Sequence, residues 1–86
     1  MMYTAVAWPE TNGIDTVFVA CLLEGFFAAQ GSSESRAIAR LRSAVNGQQH
    51  VCAAHGLDFD TDIRRTPVPD DLLHYFDERQ HYAIEV

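Results

Sequence analysis

The feature that most limits the fold of this sequence is a long stretch of helical spacing between Gly31 and Gly56. The residues that share one side of this predicted helix are Ile38, Leu41, Val45, Gln48 and Cys52. The spacing predicts an amphipathic helix that Ser32 or Ser33 caps at its N-terminus. Gly47 costs about 1 kcal/mol inside a helix, so the sequence leaves open whether the helix is continuous there.

Three short segments rich in β-forming residues precede this helix: Met2–Trp8, Thr16–Leu22 and Phe26–Gln30. The stretch Pro9–Gly13 predicts a turn between the first two strands, because its Asn-Gly pair tolerates positive φ. Thr16–Leu22 is apolar on both faces, which favours a central place in a sheet. The helix must bury its apolar stripe against one face of that sheet.

The last third of the chain predicts a loop, a short helix and a final strand. Leu57–Pro69 has the composition of a loop, and Pro69 suits the start of a short helix over Asp70–Glu78. In the segment His81–Val86, alternate residues are apolar, as in a half-buried strand. The prediction is one α+β domain over residues 1–86, with an antiparallel sheet in β-β-β-α-(short α)-β order and one long helix packed on one face.

Composition indicates a soluble protein of the cytoplasm. The longest apolar stretch without a charge, Thr16–Leu23, is too short to span a membrane, and no secretory signal precedes it. Cys21 and Cys52 are predicted to be reduced core thiols. We expect each aromatic pair, Phe26-Phe27 and Tyr75-Phe76, to send one ring into the core. A domain this small buries limited surface, so a homodimer is expected to stabilise it.

The charge of the chain is unevenly distributed. Twelve acids and six basic residues give a net charge of −6, and eight of the acids lie in residues 58–86 with three arginines. This surplus disfavours direct nucleic-acid binding. It is typical either of a solvated face that keeps a protein soluble or of a surface that attracts a basic protein partner. The residues predicted to contact such a partner are Asp70, Asp71, Asp77 and Glu78.

The sequence predicts no catalytic site, no metal site and no cofactor. Alternating acids resemble the start of a calcium loop at Asp58, Asp60 and Asp62. However, Ile63 stands where that loop needs glycine, and Pro69 where it needs glutamate. A helix would place His50 and Cys52 on opposite sides, so they cannot bind one ion together. The segment at Gly31 to Ser33 lacks the lysine and glycine run of a phosphate loop.

The segment from Leu22 to Leu41, L-L-E-G-F-F-A-A-Q-G-S-S-E-S-R-A-I-A-R-L, is similar to the pattern of HicB-type antitoxins. In that family a strand ends in an acidic turn with glycine, a short strand follows, and a helix begins after a glycine and hydroxyl residues. The matching residues are Glu24 and Gly25 in the turn, Gly31, Ser32 and Ser33 before the helix, and Ala37 and Leu41 on its face. The proline-containing stretch Thr66–Pro69 resembles the segment of that family that leads into the last strand.

The resemblance implies a partial RNase H-like sheet, no nuclease activity, a homo-oligomer, and a small basic HicA-type toxin as the partner that the domain covers. HicB antitoxins continue into a DNA-binding segment where this sequence ends at Val86. That difference favours a second hypothesis, in which a stand-alone HicB-like domain inhibits a host protein complex for a phage or mobile element. A third hypothesis is a small-ligand binder that uses the groove between the sheet and the short helix.

Overall fold

Strands and helices follow the predicted order in the computed structural model, which describes residues 1–86 except the side chain of Asn12. The elements are β1 (Met2–Asn12), β2 (Asp15–Leu22), β3 (Ala28–Gly31), α1 (Glu34–Ala54), α2 (Phe59–Ile63), α3 (Asp70–Glu78) and β4 (Tyr82–Glu85). The sheet has the order β3-β2-β1-β4, and each neighbouring pair is antiparallel. The predicted α+β class, the central place of β2 and the return of β4 to the sheet are confirmed.

Strand β1 continues past Pro9, where the sequence predicted a turn. The Leu23 N–H donates to the Thr4 carbonyl at 2.7 Å, which shows that even-numbered residues of β1 point their backbone groups towards β2. The missing N–H of Pro9 therefore faces the other side, beyond Ala5, where pairing with β4 ends. A proline is tolerated there because no ladder hydrogen bond is lost. The turn shortens to two residues and uses the positive φ of Gly13.

Helix α1 covers one face of the sheet and is continuous through Gly47. Its buried residues are Ala37, Leu41, Val45 and Cys52. The last three belong to the predicted stripe, while Ile38 and Gln48 of that stripe are half-buried. The buried residues pack against a shared core with Tyr3, Ala5 and Leu22. Gly31 permits the close approach of α1 to β3, since a Cβ there would lie 2.7 Å from the Ala37 nitrogen.

Helix α3 covers the opposite face, which the sequence did not predict. Alternate residues of a strand point to opposite faces, so Val6 and Trp8 point away from α1. They form a second buried cluster with Cys21, Val68 and Phe76. The Trp8 ring stacks on Tyr75, with centroids 4.3 Å apart and planes only 2° from parallel. The sheet is thus enclosed between two helices of different length.

The segment predicted as a loop, Leu57–Pro69, contains the one-turn helix α2. Asp58 caps this helix, since its Oδ2 accepts from the Thr61 N–H at 3.1 Å. Phe59 and Ile63 are buried on its inner side. The Phe59 ring meets the Tyr3 ring edge to face at 5.8 Å. Helix α2 was missed because one turn is too short to show helical periodicity.

Strand β3 was predicted to begin at Phe26 but begins at Ala28. The Phe26 N–H does not pair within the sheet, because it donates to the Thr66 carbonyl at 2.7 Å. The aromatic pairs divide as expected. Phe27 packs against the core while Phe26 is exposed, and Phe76 is buried while Tyr75 is half-buried.

Replacing the cap of α1 is expected to destabilise the domain. Ser33 Oγ accepts from the Arg36 N–H at 3.2 Å, so Ser33→Ala should lower the free energy of unfolding by about 1 kcal/mol in urea denaturation. Ser32→Ala, at the exposed neighbouring position, is the matched control and should change it little. Equal losses for both variants would contradict the assignment of Ser33 as the cap.

Candidate protein-binding surface

The four predicted contact residues all lie on the solvent side of α3. The helix turns its apolar residues towards the sheet, with Phe76 buried and Leu72 and Tyr75 half-buried. Successive residues of a helix are rotated by about 100°, so the polar residues of α3 fall on the side opposite these apolar residues. The exposed acids on it are Asp70, Asp71, Asp77 and Glu78. We call these four residues the acidic face of α3.

His74 lies in the middle of the acidic face, four residues after Asp70 and three before Asp77. Its ring contacts Tyr75, with centroids 4.0 Å apart. His74 was not among the residues predicted for this surface. The spacing from Asp70 was the available signal, since residues four apart in a helix are neighbours.

None of the four carboxylates of the acidic face forms a salt bridge in the structure. Among the side chains that the structure describes, the salt bridge found joins Arg64 to Asp60. Arg79, just after α3, instead lies over the Tyr75 ring at 5.9 Å from its centroid. The helix dipole favours acids in the first turn but opposes Asp77 and Glu78 in the last. A cation supplied from outside would therefore relieve repulsion at this end of α3.

Helix α1, on the other side of the sheet, has a basic surface. Arg36, Arg40 and Arg42 are exposed on it, and its only acid is Glu34. Since α1 and α3 cover opposite faces, the basic surface of α1 and the acidic surface of α3 point away from each other. A basic partner is attracted to the surface of α3 and repelled from that of α1.

The three alternating acids of the calcium-loop comparison have separate structural contacts. Asp58 caps α2, and Asp62 is exposed on it. Asp60 accepts from Arg64 Nε at 3.1 Å and from the Tyr3 hydroxyl at 3.0 Å. The hydrogen bond from Arg64, followed by that from Tyr3, lowers the pKa of the Asp60 carboxyl. Burial and the Asp60 carboxylate together raise the pKa of Tyr3 to about 12.

The two histidines and the one cysteine at the C-terminal end of α1 are also separated. Cys52 is buried, while His50 is exposed. His55, at the C-cap of the helix, is also exposed. Within the part of the chain that the structure describes, no group of three or more His, Cys, Asp or Glu side chains is arranged to hold a metal ion.

A groove lies where α1 begins beside β4. It has a volume of about 470 Å³ and is lined by Ser33, Glu34, Ser35, Ile38 and Tyr82. The Tyr82 hydroxyl donates to Glu34 Oε1 at 2.8 Å, and this bond raises the pKa of Tyr82. Its two ionisable groups are therefore already hydrogen-bonded to each other, which leaves Ser33 and Ser35 as its other polar side chains.

Comparisons with known proteins found no relative of this chain. No protein-family model, curated protein or solved structure matches this chain. The likeness to HicB-type antitoxins therefore stays a prediction from short motifs. Among the described residues, no helix has the length and apolar character needed to cross a membrane.

The buried thiol of Cys21 is expected to be unreactive in the folded protein. Burial raises the pKa of Cys21 to about 11, and the thiolate is the reactive form. At neutral pH, a thiol-specific alkylating reagent should modify Cys21 only after denaturation, as measured by peptide mass spectrometry. Rapid modification of Cys21 in the native protein would show that the face under α3 is open to solvent.

Proposed function

We propose that this chain is a non-catalytic protein-binding module that binds a basic partner protein through the acidic face of α3. The observation that carries the proposal is the set of four exposed carboxylates on one side of one helix, none of which forms a salt bridge within the chain. The resemblance to the toxin-neutralising domain of HicB antitoxins supports the same kind of activity. Binding would act by covering the functional surface of the partner.

The carboxylates are expected to contribute more to the rate of association than to final affinity. An exposed ion pair contributes only about 0.2–1 kcal/mol, because water and salt screen it. Four such charges on one side nevertheless steer a cationic partner and disfavour an acidic one. Leu73 is exposed beside the acids and supplies an apolar contact that a partner can bury. Binding should therefore weaken as salt concentration rises.

A charge-neutralised variant tests this proposal against a matched control. The test variant neutralises the acidic face with Asp70→Asn, Asp71→Asn, Asp77→Asn and Glu78→Gln. The control neutralises four exposed acids elsewhere with Glu10→Gln, Asp15→Asn, Asp62→Asn and Glu85→Gln. Both variants have the same net charge, −2 in place of −6. Only the position of the removed charges differs between them.

We expect the wild-type chain and the control to recover the same basic protein from the native host in a salt-sensitive complex. The acidic-face variant should recover at least several-fold less of it at equal concentration, as measured by quantitative mass spectrometry of the captured protein. Circular dichroism checks that both variants are folded. Recovery of no partner at low salt, or equal recovery by the two variants, would contradict the proposal.

A further inference from the structure

Strand β3 leaves one backbone edge of the sheet open. The Leu22 N–H donates to the Phe27 carbonyl at 3.0 Å, so the odd-numbered residues of this segment point their backbone groups towards β2. The N–H and C=O groups of Ala28 and Gln30 consequently point outward. Arg40 Nη1 approaches the Gln30 carbonyl at 3.3 Å, which leaves the second lone pair of that oxygen free.

The other open edges of the sheet carry protective residues, and β3 carries none. On β4, the hydrogen bond from the Val86 N–H to Met1 shows that Ala83 and the charged Glu85 face outward. The free part of β1 contains Pro9. By contrast, residues 25–33 contain no charge and no proline. Natural proteins guard sheet edges with such residues, so an unguarded edge favours pairing with another strand.

The side chains of β3 itself are two alanines and one uncharged glutamine. Ala28 and Gln30 are exposed on the α3 side of the sheet, where they border a hollow of about 200 Å³ with Val19 and Ala29. On the other side, the contact of Arg40 with Gln30 places one flank of α1 over the edge. Helical spacing puts small residues on that same flank, at Ala44 and Gly47.

We propose that β3 pairs antiparallel with β3 of a second copy of this chain, about a two-fold axis at Ala29. In this register Ala28 of each copy faces Gln30 of the other, and each pair exchanges both backbone hydrogen bonds. The pairing joins two four-stranded sheets into one continuous sheet. The interface is isologous, so it closes at a dimer.

Two observations favour a second copy over another partner at this edge. Identical chains with a net charge of −6 repel each other, but residues 25–33 contain no acid and the Arg40 guanidinium that contacts Gln30 is positive, so the acids of the two copies stay away from this edge. The small residues Ala44 and Gly47 allow the two α1 helices to lie side by side above the joined strands.

Charge variants at the edge test both the surface and its register. Ala28→Lys with Gln30→Lys places like charges opposite each other across the axis and should give a monomer. Ala28→Glu with Gln30→Lys places opposite charges there and should keep the dimer. The control Ala83→Lys adds a charge to the β4 edge and should also remain dimeric.

Sedimentation equilibrium over a dilution series measures the mass of the particle in solution. One chain has a mass of 9.6 kDa, and the expected dimer has twice that mass. A monomeric wild-type chain, or a dimer that survives the double lysine variant, would overturn the proposal. Amide hydrogen exchange of the wild-type chain gives a test without substitution, should the lysine variant fail to fold. Exchange at Ala28 and Gln30 should slow at least tenfold as concentration rises, and fast exchange at every concentration would also overturn it.

Discussion

Trp8→Ala is expected to lower the free energy of unfolding by about 3–5 kcal/mol, the range for truncating a buried aromatic side chain. Trp8 is 2% exposed and forms the centre of the cluster between the sheet and α3. Its ring stacks on Tyr75, and its Nε1–H donates to Glu10 Oε1 at 2.7 Å. The loss is a large part of the total stability of a domain of this size.

Urea denaturation followed by far-ultraviolet circular dichroism measures this loss. Tryptophan fluorescence cannot be used, because the variant removes the only tryptophan. Trp8→Phe is the control, since it keeps an aromatic ring against Tyr75 and should lose distinctly less. A loss below about 1 kcal/mol for Trp8→Ala would contradict the burial of this side chain under α3.

The two neighbouring leucines at the end of β2 should respond very differently to the same substitution. Leu22→Ala is expected to cost about 2–5 kcal/mol, because Leu22 is fully buried in the core under α1. Leu23→Ala removes the same atoms from a side chain that is 41% exposed, so it should cost less than about 1 kcal/mol. Tryptophan fluorescence in urea measures both.

This pair of variants also tests the register of β2. Successive side chains of a strand point to opposite faces, so a shift of one residue would exchange the two leucines. Equal losses, or a larger loss for Leu23→Ala, would contradict the pairing of β1 with β2 described above.

The elements predicted best were those whose signals are local. The stripe from Ile38 to Cys52 and the serine cap predict α1, and Pro69 with the following acids predicts α3. The predicted end of β1 at Trp8 was wrong, because the effect of Pro9 depends on which side of the strand its nitrogen faces. That parity is set by pairing with β2, which is a non-local property of the fold.

The candidate binding surface was predictable as a set of residues but not as a position in the fold. The acids of α3 are visible in the sequence as a charge surplus beside Leu72 and Phe76. Their placement on the side opposite the arginines of α1 depends on the contact between Trp8 and Tyr75, which lie far apart in the chain. Local patterns carry no signal for such a contact.

Nuclear magnetic resonance titration with the recovered partner tests the central claim most directly. At low salt, the largest changes in backbone amide shifts should fall within α3, from Asp70 to Glu78, and should diminish as salt is added. Changes centred on α1, with α3 unaffected, would show that the partner binds the opposite side and would contradict the proposed function.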